Sequence, residues 1–142
     1  TLNPSSAASD VYKRQYVEFE DSILGSGLIF DPSVALSMDY FTVWQLSVED
    51  PATVASAFIQ LDKDTKKMRS GPFGLHEAIA GMRSGVTHYF VARSPKMSDF
   101  LNGREKINNS KAFMNFVTKT SPVSDVVGNF SGKIIKRWNM PQ

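Results

Sequence analysis

From Tyr40 to Val48 the chain is apolar almost without a break, and polar Thr42, Gln45 and Ser47 are spread over both faces of an extended backbone. Aromatic and β-branched residues at this density predict a strand. The period changes at Glu49-Asp50-Pro51. Val54, Phe58, Leu61, Thr65 and Met68 then recur at helical spacing, while Asp62, Lys63, Asp64, Lys66 and Lys67 take the wet side. Asp50 supplies an N-cap and Pro51 suits the first helical position. Ser70-Gly71-Pro72 ends the helix, because glycine accepts the left-handed cap and proline cannot continue.

Phe73–Met82 admits two periods. Leu75, Ala78, Ile79 and Met82 fit the stripe of a short helix, but Thr87–Arg93 downstream is a strand and needs a neighbour. A hairpin through the turn signal Arg83-Ser84-Gly85-Val86 is therefore expected. In that hairpin Met82 pairs with Thr87, so that Gly81 faces His88 and His76 faces Arg93. Ser94-Pro95 repeats the earlier start signal, with Ser94 as N-cap of a helix running to about Asn108. Asn109-Ser110 caps a second short helix bearing Phe113, Met114, Phe116 and Val117. Ser121–Asn129 reads as a loop whose Val123, Val126 and Val127 lie on the core, and Phe130–Trp138 closes the chain as a strand. The order β-α-β-β-α-β defines an α+β, ferredoxin-like unit: an antiparallel sheet with helices on one face.

Upstream, Ile23–Phe30 is apolar enough for a further strand. Its Gly25-Ser26-Gly27-Leu28-Ile29-Phe30 is similar to Phe130-Ser131-Gly132-Lys133-Ile134-Ile135, each after an acidic and aliphatic lead-in. This points to an internal duplication. The segment SSAASDVYKRQ at Ser5–Gln15 resembles, letter for letter, one reading frame of the transposase adapter used to prepare sequencing libraries. The expected organisation is thus residues 1–15 as a disordered, adapter-derived artefact of an environmental sequence fragment. Residues 16–39 follow as the tail of an upstream repeat plus linker, and 40–142 as the ferredoxin-like domain.

Charge narrows the classes of partner. Sixteen basic and fourteen acidic side chains give a net charge of +2 over 142 residues. Without Lys13, Arg14 and Asp10 the balance is fourteen against thirteen, or +1. Neither value supplies the basic footprint of a nucleic-acid or anionic-membrane binder, and no apolar run reaches the roughly 20 residues of a membrane span. The RNA recognition motif shares this element order, and Tyr89-Phe90-Val91 echoes its aromatic strand. The glycines and leading basic residue of that motif are missing, so no nucleic-acid partner is expected. Zero cysteines remove disulfides and thiolate ligands.

In element order and helix length, over about Tyr40–Trp138, the chain resembles the dimeric α+β barrel superfamily, which includes antibiotic-biosynthesis monooxygenases. The resemblance implies that this unit is one half of a tandem or dimeric barrel. Its partner would then be a second copy of the same domain. No residue motif of the superfamily is present, so no catalytic residue follows from it.

The titratable candidates are few. The expected hairpin puts His76 and His88 on opposite faces and roughly 16 Å apart, too far to share a metal, and neither a metal nor a cofactor is expected. His88 shares a face with Glu77, Leu75, Ile79, Phe90 and Ala92. Glu77 stands opposite Ala92, roughly 13 Å from the imidazole. His88, Glu77 and Gln45 are the ligand-lining candidates, on a face (including Phe90 and Ile79) expected to await a second sheet. Trp44 is read as core. Without a catalytic constellation, the expected function is binding of a small apolar ligand, or an interaction module. The alternative is a cofactor-independent, monooxygenase-like enzyme acting on a small apolar or aromatic substrate.

Overall fold

The computed structural model describes residues 24–29, 31, 34, 37–81 and 83–136. The adapter-like segment and Trp138 lie outside the described residues. Five strands form one sheet: β1 (Leu24–Ile29), β2 (Tyr40–Val48), β3 (Phe73–Ala80), β4 (His88–Ser94) and β5 (Ser124–Lys133), in the order β1-β3-β4-β2-β5. Every neighbouring pair is antiparallel. Three helices are present among the described residues: α1 (Pro51–Thr65), α2 (Met97–Asn108) and α3 (Lys111–Thr120). β2 through β5 with these helices make the ferredoxin-like α+β unit, and β1 extends the sheet beyond β3.

Helix α1 begins where the sequence places it. The Asp50 carboxylate accepts hydrogen bonds from the backbone N–H groups of Ala52 and Thr53, each at 3.1 Å, and from the Thr53 hydroxyl at 2.6 Å. These bonds hold the Asp50 carboxyl below its usual pKa. Val54, Ala57, Phe58, Leu61 and Thr65 form the buried stripe. One 3-10 turn (Lys66–Met68) follows before the chain enters β3.

Pairing fixes the two faces of the sheet. Trp44 lies opposite Phe90 and Leu46 opposite His88, while Leu75 also pairs with Phe90. These side chains point to the helices, where Leu46, Val48, Val54, Phe58 and Leu75 form the core, with Trp44, Phe73 and Phe90 packed against it. The face with His88 and Phe90 is therefore the helix-covered one, not the one expected to await a second sheet. The opposite face carries Phe41, Val43, Gln45, His76, Tyr89 and Val91, of which Val43, Gln45 and Val91 are buried.

Three boundaries depart from expectation. Ser94 does not cap α2: it still pairs with Tyr40 in the ladder, and Lys96 takes the cap position without a side-chain bond. Ser110 does cap α3, its hydroxyl accepting from the Phe113 N–H at 3.1 Å. Ser121–Asn129 is not a loop. β5 starts at Ser124 and ends at Lys133, pairing with all of β2 across an irregularity opposite Gln45 and Leu46. A ladder along a central strand here outweighs the poor strand preference of Ser, Asp, Asn and Gly. Val126 and Val127, expected on the core, are exposed.

The β3–β4 connection is longer than a tight hairpin. Gly81 and Gly85 adopt φ of 77° and 86°, values that suit glycine. Thr87 turns its N–H to the Leu46 carbonyl, at 2.9 Å, instead of to β3. Pairing thus resumes four residues from the expected register. Glu77 faces His88, His76 faces Tyr89, and Phe73 faces Ala92.

Candidate functional site

A shift of four preserves the parity of the strands. His76 and His88 remain on opposite faces, as the alternation requires. The 16 Å separation does not hold, because the two residues are diagonal neighbours across the pair. Nor does Glu77 stand opposite Ala92: it is the direct cross-strand partner of His88.

His88 is buried, and its Nδ1 lies 2.9 Å from the Thr87 hydroxyl, which itself accepts the Val48 N–H at 2.9 Å. Burial lowers the imidazole pKa, and the negative charge of Glu77 partly offsets the effect. Gln45 occupies the other face, where its Oε1 lies 2.8 Å from where a β-carbon on Gly128 would sit. Also on that face, His76 stacks on Tyr89, ring centroids 4.8 Å apart and planes 8° from parallel. Its pKa is lowered by burial and then by the positive charge of Arg93, while burial raises that of Tyr89. Tyr89 lies across Gly25, whose missing side chain makes the approach possible.

A concave site among the described residues lies elsewhere, between sheet and helices. It is a cavity of about 360 Å³, within the usual range of small-molecule sites. Its walls are largely apolar, and seven aromatic rings border it, those of Trp44, Phe58, Phe73, Phe90, Phe100, Phe113 and Phe116. Phe90 is the hub. It stacks on Trp44 with centroids 4.9 Å apart and meets Phe73 and Phe58 edge-on at 4.8 and 5.2 Å. Alternation on β2, β3 and β4 brings Trp44, Phe73 and Phe90 to the same face, and α1 delivers Phe58 from above. Neither His88, Glu77 nor Gln45 lines this cavity.

Arg69 reaches its wall from the turn between α1 and β3. Its guanidinium donates to the backbone carbonyls of Gly71 and Asp62 and forms an ion pair with the Asp62 carboxylate. It also lies over the Phe73 ring, 4.1 Å from the centroid. Burial lowers the pKa of Arg69, while Asp62 acts the other way. In the sequence this residue stands out only as the neighbour of the helix-stop signal Ser70-Gly71-Pro72. Asp62 lies on α1 and Arg69 in the extended segment after the 3-10 turn, so no helical spacing in the sequence announces their pairing.

No protein-family pattern matches the chain, and no curated protein matches its sequence. Among solved structures the chain is similar to HapK from Hahella chejuensis, with a TM-score of 0.51 and 14% identity. That match covers 72% of this chain and 99% of HapK. A candidate monooxygenase from Fusobacterium nucleatum matches at a TM-score of 0.45 and 13% identity, over 92% of this chain and 59% of the other. The match to HapK supports the α+β, ferredoxin-like class assigned from element order. At these identities the likeness is one of fold. Among the described residues no group of three or more His, Asp or Glu is placed to hold a metal, and no helix is long and apolar enough to cross a membrane.

Proposed function

We propose that this domain binds a small, largely apolar aromatic molecule in the cavity between its sheet and helices. The observation that carries this reading is a partly open cavity of about 360 Å³ bordered by seven aromatic rings. A void lined by apolar atoms loses packing contacts along its whole surface, and an apolar guest of matching size restores them. An oxygenase without a cofactor would need the same kind of volume. None of the three side chains nominated for that chemistry borders it, so binding is the function we assign.

The test is calorimetric titration with 1-naphthamide, a neutral bicyclic probe, alongside the fluorescence of Trp44 in the wall. Micromolar to low-millimolar binding with quenching is expected. Val117→Trp, placed on a partly exposed part of the wall, should block it without touching the core. A folded protein that binds neither this probe nor a panel of other one- and two-ring aromatics would remove the proposal.

A second copy of the domain, in tandem or as a homodimer, is our proposal for the sheet face away from the helices. Phe130 is 43% exposed there and sits edge-on to Phe41, the start of an apolar patch. Light scattering at tens of micromolar should return twice the chain mass, and a clean monomer would contradict the proposal.

A further inference from the structure

We infer that the guest carries a hydrogen-bond donor, a hydroxyl or an amino group, and that the buried Ser94 hydroxyl reads it, with the Asp99 carboxylate setting that sense. This inference rests on the cavity being a binding site and adds the chemistry of its occupant.

Four hydroxyl-bearing residues are buried among the described residues: Thr42, Thr65, Ser94 and Thr120. Three of them have partners. The Thr42 hydroxyl lies 2.8 Å from that of Ser131, Thr65 donates to the Leu61 carbonyl at 2.7 Å, and Thr120 donates to the Phe116 carbonyl at 3.0 Å. Ser94 is 4% exposed, and its hydroxyl makes no hydrogen bond among the described residues. Burying a hydroxyl without a partner is costly, and folded proteins rarely leave one so unless a ligand or water completes it.

The strand places this hydroxyl at the cavity. Ser94 pairs with Tyr40, two residues beyond Ala92 and four beyond Phe90, so alternation turns it to the helix-covered face. It borders the cavity there. Unlike the sealed Nε of Arg69, its oxygen keeps accessible surface.

A hydroxyl donates or accepts, so Ser94 alone leaves the sense of the bond open. Asp99, in the first turn of α2, decides it. This half-buried residue is the one acid lining the cavity, and it makes no hydrogen bond or ion pair among the described residues. The neighbouring cations do not cancel it. Arg69 is held in its ion pair with Asp62, Arg93 turns to the opposite sheet face, and Arg104 is exposed. A carboxylate only accepts, and hydrogen bonds to it are charge-assisted. The polar part of this apolar cavity therefore favours O–H or N–H on the guest.

One matched pair of probes isolates that hydrogen. 1-Naphthol and 1-methoxynaphthalene share their rings and their oxygen, but only the first can donate. In the unaltered chain naphthol should bind about tenfold tighter, the scale of one good hydrogen bond. Ser94→Ala should reduce the preference to about twofold or less, and Asp99→Asn should reduce it in part. Thermal melting separates reading from a structural role. Removing an unpartnered hydroxyl should leave the Tm of Ser94→Ala unchanged or higher, whereas a serine that serves the fold would lower it.

Equal binding of both probes by the unaltered chain would overturn the inference and leave the cavity proposal standing. A naphthol preference that survives Ser94→Ala, or a clear fall in the Tm of that variant, would also overturn it. A preference untouched by Asp99→Asn would overturn the part given to Asp99. Binding of neither probe, nor of 1-naphthamide, would remove the cavity proposal itself.

Discussion

Phe58 and Ile59 are consecutive residues of α1 on opposite sides of its stripe, at 1% and 55% exposure. Truncating each to alanine tests the packing of the helix on the sheet. Phe→Ala in a packed core costs about 3–5 kcal/mol in transfer and cavity terms. Two corrections apply. Alanine is the better helix former, returning roughly 0.5 kcal/mol. The Phe58 ring also borders the cavity, so on that side it has fewer contacts to lose. Against these stand its edge-on contact with Phe90 at 5.2 Å and its tilted contact with Phe73 at 6.4 Å, pairs worth about 0.5–1.5 kcal/mol beyond area. The expected net loss is about 3 kcal/mol. For Ile59→Ala, half-exposure and helix preference leave about 0.5 kcal/mol or less. Urea unfolding followed by far-ultraviolet circular dichroism measures both. With slopes of about 1–3 kcal/mol per molar, Phe58→Ala should lower the midpoint by roughly 1–3 M. Ile59→Ala should barely move it. Equal shifts, or a larger one at Ile59, would refute the assigned orientation of α1 and with it the placement of the cavity.

Two further outcomes follow from residues already described. The imidazoles of His76 and His88 both have lowered pKa values in the fold, so the unfolded chain binds more protons below the ordinary value near 6.5. Stability should therefore be complete above about pH 6.5 and fall as the pH drops toward the folded values. Replacing both residues with glutamine should flatten that slope in denaturation curves at pH 7 and 5, and an unchanged slope would contradict the burial described. At Gly71 a β-carbon would lie 2.0 Å from the Arg93 carbonyl oxygen, a backbone atom, whereas at Gly85 it would meet nothing within 4 Å. Gly71→Ala should cost about 1–3 kcal/mol or more through overpacking, and Gly85→Ala about 1–2 kcal/mol from its positive φ alone. The reverse order in thermal melts would contradict the close contact between the β3 entry and β4.

The element order was legible because each element carries its own local signal: Asp50-Pro51 for α1, Ser110 for α3, dense aromatic and β-branched residues for β2 and β4. Pairings were less legible. The β3–β4 register turns on Gly81, which leaves the ladder at a positive φ but in sequence looks like any glycine near a turn. Gly85 was the visible turn residue, and anchoring the hairpin there displaced every pair by four. β5 was read short because its strand character comes from β2 beside it and not from its own Ser, Asp, Gly and Asn. The candidate site was hidden for a related reason. His88, Glu77 and Gln45 were chosen as polar residues on strands, and strand parity alone could not say which face the helices would cover. The cavity depends on how α1, α2 and α3 sit over that face, and Arg69 enters it from a turn whose sequence announces only an ending.

The strand order also has a consequence for how the chain reaches this state. β2 is made early yet lies between β4 and β5, both made later. During synthesis Val43, Leu46 and Val48 therefore emerge long before either neighbour exists. One edge stays without a hydrogen-bonded partner until β4 is made, and the other until β5 emerges near the end of the described chain. Sequence-distant pairing of this kind slows folding and prolongs the time in which an uncovered strand can meet another.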